Sequence, residues 1–172
     1  MSAVPWHEEP IRKDHNREGF DCGEPAANEF LRRYALKSHE LGGEKTFLAI
    51  DDGDGKTILG FYSLGAATVV CGQPAEGEPL RQEVPAFRLT RRAVDRPVQG
   101  RGLAGQLLLA AARRCVRASK GVGGDFLLIE ARSERIAAWY ASYGAVPLPD
   151  APLTLLLPLT AVEEALRVCG KL

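Results

Sequence analysis

Histidine and cysteine are few in this chain and widely spread, which removes several chemistries at once. The 172 residues include three histidines (His7, His15, His39) and four cysteines (Cys22, Cys71, Cys115, Cys169). No two cysteines have the Cys-x-x-Cys spacing of a zinc site and the histidines form no cluster in sequence, so no metal centre is expected. Scattered thiols of this kind fit a reduced, cytoplasmic protein. A signal-peptide pattern is lacking, as is any apolar run of membrane-spanning length. Net charge is missing too: 22 basic residues balance 22 acidic ones, so no global polycation recruits nucleic acid. There is no internal repeat and no linker, and the length suits one domain, residues 1–172, with a substantial core.

What is present is concentrated between Ala86 and Ser119. An extended run from Ala86 to Val94 ends at a loop marked by Pro97, after which Leu103, Leu107, Leu108, Ala111 and Cys115 recur at helical spacing. Gly100, Gly102 and Gly105 sit where the loop becomes the helix. Residues without a Cβ let successive backbone N–H groups turn toward one point, and a helix start adds partial positive charge there. Such a turn suits a phosphate or pyrophosphate. It lacks the Gly-x-Gly-x-x-Gly of a dinucleotide fold and the Gly-Lys-Ser/Thr of a P-loop. Local charge is polarised here as well. From Arg88 to Lys120 run Arg88, Arg91, Arg92, Arg96, Arg101, Arg113, Arg114, Arg117 and Lys120, against one acid, Asp95.

The remaining pattern predicts a short strand around Pro10 to Lys13, then a turn at Phe20–Gly23. A helix from Ala26 to Ser38 comes next, with Phe30, Leu31, Tyr34 and Ala35 on one face and Arg32, Arg33 and Lys37 on the other. Thr46–Ile50 and Thr57–Val70 read as a hairpin across Asp52-Gly53-Asp54-Gly55, with Gly60 and Gly65 marking a bulge or bend. Gly72 to Pro85 reads as a surface loop, partly disordered. Beyond a turn at Gly121–Gly124, Phe126–Ala131 has the apolar character of a strand buried on both faces. A short helix over Ser133–Ser142 has Ser133 as N-cap, and a last strand spans Leu153–Leu159. Thr160-Ala161-Val162-Glu163 has the form of a capping box opening a final helix to Cys169.

The motif Gln99-x-x-Gly102-x-Ala104 resembles the acyl-CoA pyrophosphate signature of the GNAT acetyltransferases, and the order of elements is similar to theirs. Outside that motif several runs look like one GNAT branch, the toxins of toxin–antitoxin pairs that acetylate aminoacyl-tRNA. They are Phe20–Gly23, Phe30–Ala35, Thr46–Ala49, Gly60–Leu64, Arg91–Asp95, Trp139-Tyr140-x-x-Tyr143-Gly144 and Pro147–Asp150. The likeness covers roughly residues 11 to 160. It departs at Ala104 (usually Gly), Arg92 (usually apolar), Trp139 (usually Phe) and Ala145 (usually Phe). The resemblance implies a single α/β GNAT domain, with a mixed central sheet and helices on both faces, that uses acetyl-CoA and no metal. It further implies a ribbon-helix-helix antitoxin as partner, a homodimer, and translation blocked through acetylated aminoacyl-tRNA.

By the same resemblance, Tyr140 is the general acid at the leaving sulfur, with Tyr143 as its rival. Gln99, Gly100, Arg101, Gly102, Ala104 and Gly105 hold the cofactor, and the backbone of Ala93 and Val94 pairs with its pantetheine arm. A phenol of pKa about 10 stays protonated at neutral pH. An α-amine of pKa about 8 is partly neutral there without a strong base, whereas a lysine near 10.4 needs more help. The lack of a histidine or paired-carboxylate base therefore favours an α-amine acceptor. Glu130 reads either as a proton relay through water or as a structural acid. Arg113, Arg117 and Lys120 fall on one helix face, and with Arg32, Arg33, Lys37, Arg91 and Arg92 they make a stripe for tRNA phosphates or a merely solvated surface. Two other readings stand beside this one: a GNAT acting on a small amine or a protein N-terminus, and a silent acyl-CoA-binding module.

Overall fold

The structure, a computed structural model, describes residues 4–71 and 82–170. Its elements are β1 (Trp6–Pro10), α1 (Pro25–Glu29), a π-helical turn (Phe30–Tyr34), α2 (Ala35–Glu40), β2 (Lys45–Asp51), β3 (Ile58–Cys71) and β4 (Gln82–Val94). A 3-10 turn (Arg96–Val98), α3 (Leu103–Val122), β5 (Phe126–Glu130), α4 (Glu134–Ala141), β6 (Val146–Leu148), β7 (Ala151–Pro158) and α5 (Leu159–Val168) complete the chain. This is a mixed α/β fold whose strands hydrogen-bond in the order β1-β2-β3-β4-β5-β7-β6. Backbone contacts divide the chain into two units, Met1–Gly65 with Leu89–Ala111, and Ala66–Arg88 with Ala112–Leu172.

In the first unit β1, β2 and β3 run antiparallel, with Glu8 opposite Ala49 and Ala49 opposite Gly60. The next pair is Ile50 with Ile58, which leaves Leu59 as an extra residue, so the bulge expected near Gly60 is there. Gly60 is required by close approach. A Cβ on it would lie 2.8 Å from the Ala93 carbonyl oxygen and 3.0 Å from Leu107 Cδ1. Ile11, Phe20, Phe30, Leu31, Leu48, Ile50 and Phe61 form the core of this unit, with Phe20 edge-on to Phe61 at 5.5 Å. The first strand lies earlier than the Pro10–Lys13 expectation. After Pro10 the chain turns, His15 N–H bonding back to the Arg12 carbonyl, and cannot extend.

The expected Ala26–Ser38 helix is interrupted. At its centre Ala35 N–H bonds to the Phe30 carbonyl, five residues back instead of four. One extra residue in a turn rotates the rest of the helix, so Ala35 rather than Tyr34 lies over Phe30. Phe30, Leu31 and Ala35 are buried as expected, whereas Tyr34 is 56% exposed. The Arg17 guanidinium Nη1 donates to the carbonyls of Leu31 (3.3 Å) and Arg32 (3.1 Å), groups that a wide turn leaves short of partners.

In the second unit β5 pairs antiparallel with β7, and Leu127, Leu128 and Ile129 are buried as their apolar run implied. The strand β6 was not expected. It is three residues long and contains Pro147, which cannot donate to a ladder. The last strand starts at Ala151, ahead of Leu153. The capping box does not form: α5 begins at Leu159 with Pro158 as its N-cap and no side-chain bond there. Thr160 falls inside the first turn, and Glu163 is bound by Lys120 and Arg167 instead. Of the predicted Gly72–Pro85 loop, Gln82–Pro85 belong to β4, and the rest lies outside the described residues. Helix α3 continues to Val122, shortening the expected Gly121–Gly124 turn.

Candidate active site

The loop between the Arg96–Val98 turn and α3 holds two left-handed residues, Gly100 (φ +80°) and Gly102 (φ +85°). Among the described residues, no atom beyond the two flanking residues lies within 4 Å of where a Cβ would stand on either, so backbone conformation and not packing demands glycine there. Gln106 N–H bonds to the Gly102 carbonyl and opens the helix ladder. The amides of Leu103, Ala104 and Gly105, one turn ahead, have no helical partner of their own and carry the positive end of the α3 dipole. Arg101 is half-buried within the loop. An open glycine cradle with outward amides fits a pyrophosphate.

Gln99 has a different task from its neighbours. Its amide nitrogen donates to the carbonyls of Cys22 (2.9 Å) and Val94 (2.8 Å), so the side chain clamps the loop to the Phe20–Gly23 turn and to the end of β4. That turn is fastened further. Asp21 N–H donates to Asp95 Oδ1, Arg96 N–H to the Asp21 carbonyl, and Gly23 N–H and Asn28 Nδ2 to Asp21 Oδ1, all at 2.9 Å. The bond from Gly23, followed by that from Asn28, lowers the Asp21 pKa, while burial raises that of Asp95.

At the end of β4 the two expected pantetheine partners differ. Asp95 N–H donates to the Leu59 carbonyl on β3. Because backbone groups alternate along a strand, Ala93 also faces β3, and the N–H and C=O of Val94 point the other way. The Val94 carbonyl is the one held by Gln99. Arg91 stacks its guanidinium over the Phe30 ring at 4.1 Å, with Nε buried and without a partner; Arg92 is half-buried.

In the second unit Ser133 caps α4, its hydroxyl accepting from Ile136 N–H at 3.3 Å as the sequence led us to expect. The two tyrosines of this segment are not equivalent. Tyr140 is 6% exposed and Tyr143 51% exposed, with the Trp139 ring 5.0 Å from the first and 4.8 Å from the second. Glu130 is exposed at the end of β5 and paired with Arg88 at 3.3 Å.

The basic residues differ in exposure and in the partners they hold. Arg32 Nη2 donates to the Phe20 carbonyl at 2.8 Å, and exposed Arg33 lies 3.7 Å from Glu29. Lys37 and Arg117 are exposed, Arg113 is half-buried, and Lys120 is tied to Glu163. Among the described residues no three His, Cys, Asp or Glu side chains are arranged to hold a metal ion. Two histidines do converge, contrary to their scatter in sequence. His7 lies 2.6 Å from both Asp52 and Glu9, and His15 3.2 Å from Glu9.

No family model matches the chain. Over 141 residues it is 37% identical to a tRNA-acetylating toxin of Mycobacterium tuberculosis, a match covering 80% of this chain and 82% of the relative. The chain belongs to the tRNA-acetylating toxins. Two solved GNAT toxin structures extend the likeness to the fold. AtaT complexed with acetyl-methionyl-tRNAfMet is 26% identical at a TM-score of 0.82, covering 94% of this chain and 99% of that one. A Tyr-to-Phe mutant of AtaT bound to the C-terminus of the antitoxin AtaR and acetyl-CoA is 26% identical at a TM-score of 0.78, covering 93% and 97%.

For a tRNA-acetylating toxin, the sequence points to the glycine loop but not to what steadies it. Asp21 and Asp95 stand out there only as parts of motifs, and Asn28 not at all. A signal is present in the placing of Asp21 and Asp95 beside turn residues, where short carboxylates bind backbone N–H groups. Nothing local points to the pairing across more than seventy residues.

Proposed function

We propose that this chain transfers the acetyl group of acetyl-CoA to the α-amino group of aminoacyl-tRNA and so blocks translation. The reading is carried by the Gln99–Gly105 loop: two left-handed glycines with open space above them at the start of α3, in a chain of this family. Acetyl-CoA, when bound, supplies an acetyl thioester. The amides of Gly102 to Gly105 hold its pyrophosphate, with Gly100 and Arg101 shaping the loop. Gln99 orients the Val94 carbonyl, and the Val94 amide, turned away from β3, meets the acyl arm; Ala93 supports it from the β3 side.

The acceptor amine enters neutral, which an α-amine of pKa about 8 permits at pH 7 for an appreciable fraction of the time. Tyr140 donates a hydrogen bond to the departing sulfur. Full transfer from a phenol near 10 to a thiolate near 8.5 is uphill by about 1.5 units in free solution, so stabilising the developing charge is the larger part of its role. Its enclosure, against the open position of Tyr143, favours it as the positioned donor. Arg32, Arg33, Lys37, Arg91, Arg92, Arg113, Arg117 and Lys120 meet tRNA phosphates, and of these Arg33, Lys37, Arg117 and Lys120 are exposed. The chain works as one domain in the cytoplasm, as a homodimer restrained by a ribbon-helix-helix antitoxin.

Single-turnover acetylation of charged tRNA by Tyr140→Phe and Tyr143→Phe tests the assignment. Loss of a positioned acid slows transfer by roughly 10²–10⁴-fold in Tyr140→Phe, with melting and acetyl-CoA affinity retained and Tyr143→Phe near wild type. Selective loss in Tyr143→Phe would hand the role to that residue.

A further inference from the structure

We propose that Tyr34 is a stacking platform for an unpaired base at the 3′ end of the tRNA acceptor, a role that rests on the proposed tRNA substrate. In an uninterrupted helix Tyr34 would lie over Phe30 and join the core with Leu31 and Ala35. The π-helical turn gives that place to Ala35, whose N–H reaches the Phe30 carbonyl, and swings Tyr34 out to 56% exposure. A wide turn in the middle of a helix has poorer hydrogen-bond geometry and marks functional sites more often than chance. Here it is buttressed from outside the helix by Arg17, through the Leu31 and Arg32 carbonyls.

The surroundings of the ring decide the class of ligand. Arg33 precedes it and Lys37 lies one turn on, both exposed, and the acids of the same helical segment, Glu29 (3.7 Å from Arg33) and Glu40, are themselves exposed. An exposed aromatic ring between cations on one helix is the composition that single-stranded nucleic acid uses: the ring takes a base face and the cations take flanking phosphates. A base inside a duplex offers no such face, so the ligand is unpaired.

The same helical segment is fastened to the cofactor loop. Asn28, on α1, bonds to Asp21 and to Cys22 N–H, and the Cys22 carbonyl accepts from Gln99. Tyr34 lies six residues beyond Asn28, roughly 9 Å along a helix axis. The unpaired 3′ end that carries the amino acid is the part of the tRNA that has to approach that loop.

The test compares Tyr34→Phe, which keeps the ring, with Tyr34→Leu, which keeps apolar bulk without a flat face. Steady-state acetylation of aminoacyl-tRNA gives KM for each substrate, and melting curves monitor folding. Losing one stacked base raises KM for charged tRNA roughly 5- to 150-fold in Tyr34→Leu. Tyr34→Phe stays near wild type, and KM for acetyl-CoA and the melting temperature are unchanged in both. A wild-type KM for tRNA in Tyr34→Leu would overturn the proposal, as would an equal rise in both KM values. Unchanged tRNA kinetics with weakened antitoxin binding would reassign the ring to a protein contact. If the wild-type chain itself does not acetylate charged tRNA, the tRNA reading fails, and that outcome is separate from any effect of Tyr34.

Discussion

Gln99 is expected to matter more for acetyl-CoA than for folding, and the structure sets the scale of both effects. Gln99→Ala deletes two hydrogen bonds, to Cys22 O at 2.9 Å and to Val94 O at 2.8 Å. Each is worth about 1 kcal/mol net in a typical protein setting, but Gln99 is exposed and water can replace part of both. The stability loss is therefore on the order of 1 kcal/mol, a fall in Tm of about 2–4 °C for a chain of this size. The loop fares worse. With the clamp gone, one or two residues beside Gly100 and Gly102 must be ordered again whenever the cofactor binds, at about 1–2 kcal/mol each. Acetyl-CoA affinity should drop by about tenfold or more. Gln99→Glu should be worse still, because it sets a carboxylate against two carbonyl oxygens and beside an anion site. Calorimetric titration with acetyl-CoA and a melting curve for each variant decide the matter. An unchanged Kd for Gln99→Ala would refute the clamp.

Gly102→Glu forces an L-residue into φ +85° and adds an anion to the cradle, so acetyl-CoA binding by calorimetry should fall sharply while the fold survives. Gly60→Ala puts a methyl group 2.8 Å from the Ala93 carbonyl and should destabilise by about 1–3 kcal/mol in denaturant unfolding. His7 has its pKa raised by its bonds to Asp52 and then Glu9, so its contribution is complete below about 6.5 and lost as pH rises through the raised value. Stability against pH should accordingly lose its alkaline-side decline in His7→Gln. Burial opposes ionisation of Glu9, yet bonds from Arg12, His7 and His15 hold its pKa at about 2. Its contribution fades as pH falls from about 4.5 through about 2, a limb that Glu9→Gln should flatten. Arg117→Glu should weaken tRNA binding and lower its salt slope more than Lys120→Glu, whose lysine is already paired with Glu163.

The parts legible in the sequence were those with a short-range signature. Three glycines and an apolar repeat marked the turn into α3 and α3 itself, the run Phe126–Ile129 marked a buried strand, and Ser133 marked a helix start. What escaped depends on contacts distant along the chain or on one residue of phase. Phe30, Leu31, Tyr34 and Ala35 satisfy helical spacing, and nothing in that pattern says that the turn between them holds an extra residue. Thr160 and Glu163 satisfy a capping pattern, but the helix starts two residues early behind Pro158. The His7–Glu9–Asp52 group exists only because β1 pairs with β2, with Trp6 opposite Asp51. Gln99 was readable as part of a cofactor motif, while its actual partners, Cys22 and Val94, depend on the packing of a turn lying 77 residues away.

The acceptor is tested most directly by supplying the chain with acetyl-CoA and, in parallel, charged tRNA, uncharged tRNA, free amino acids and a peptide N-terminus. The ester-linked product is then hydrolysed and analysed by mass spectrometry. Acetyl-CoA-dependent transfer to the α-amine of the tRNA-borne amino acid, with none to uncharged tRNA and little to the free amines, is expected. Equal acetylation of free amino acids or peptide without tRNA, or no transfer to any amine despite acetyl-CoA binding, would contradict it.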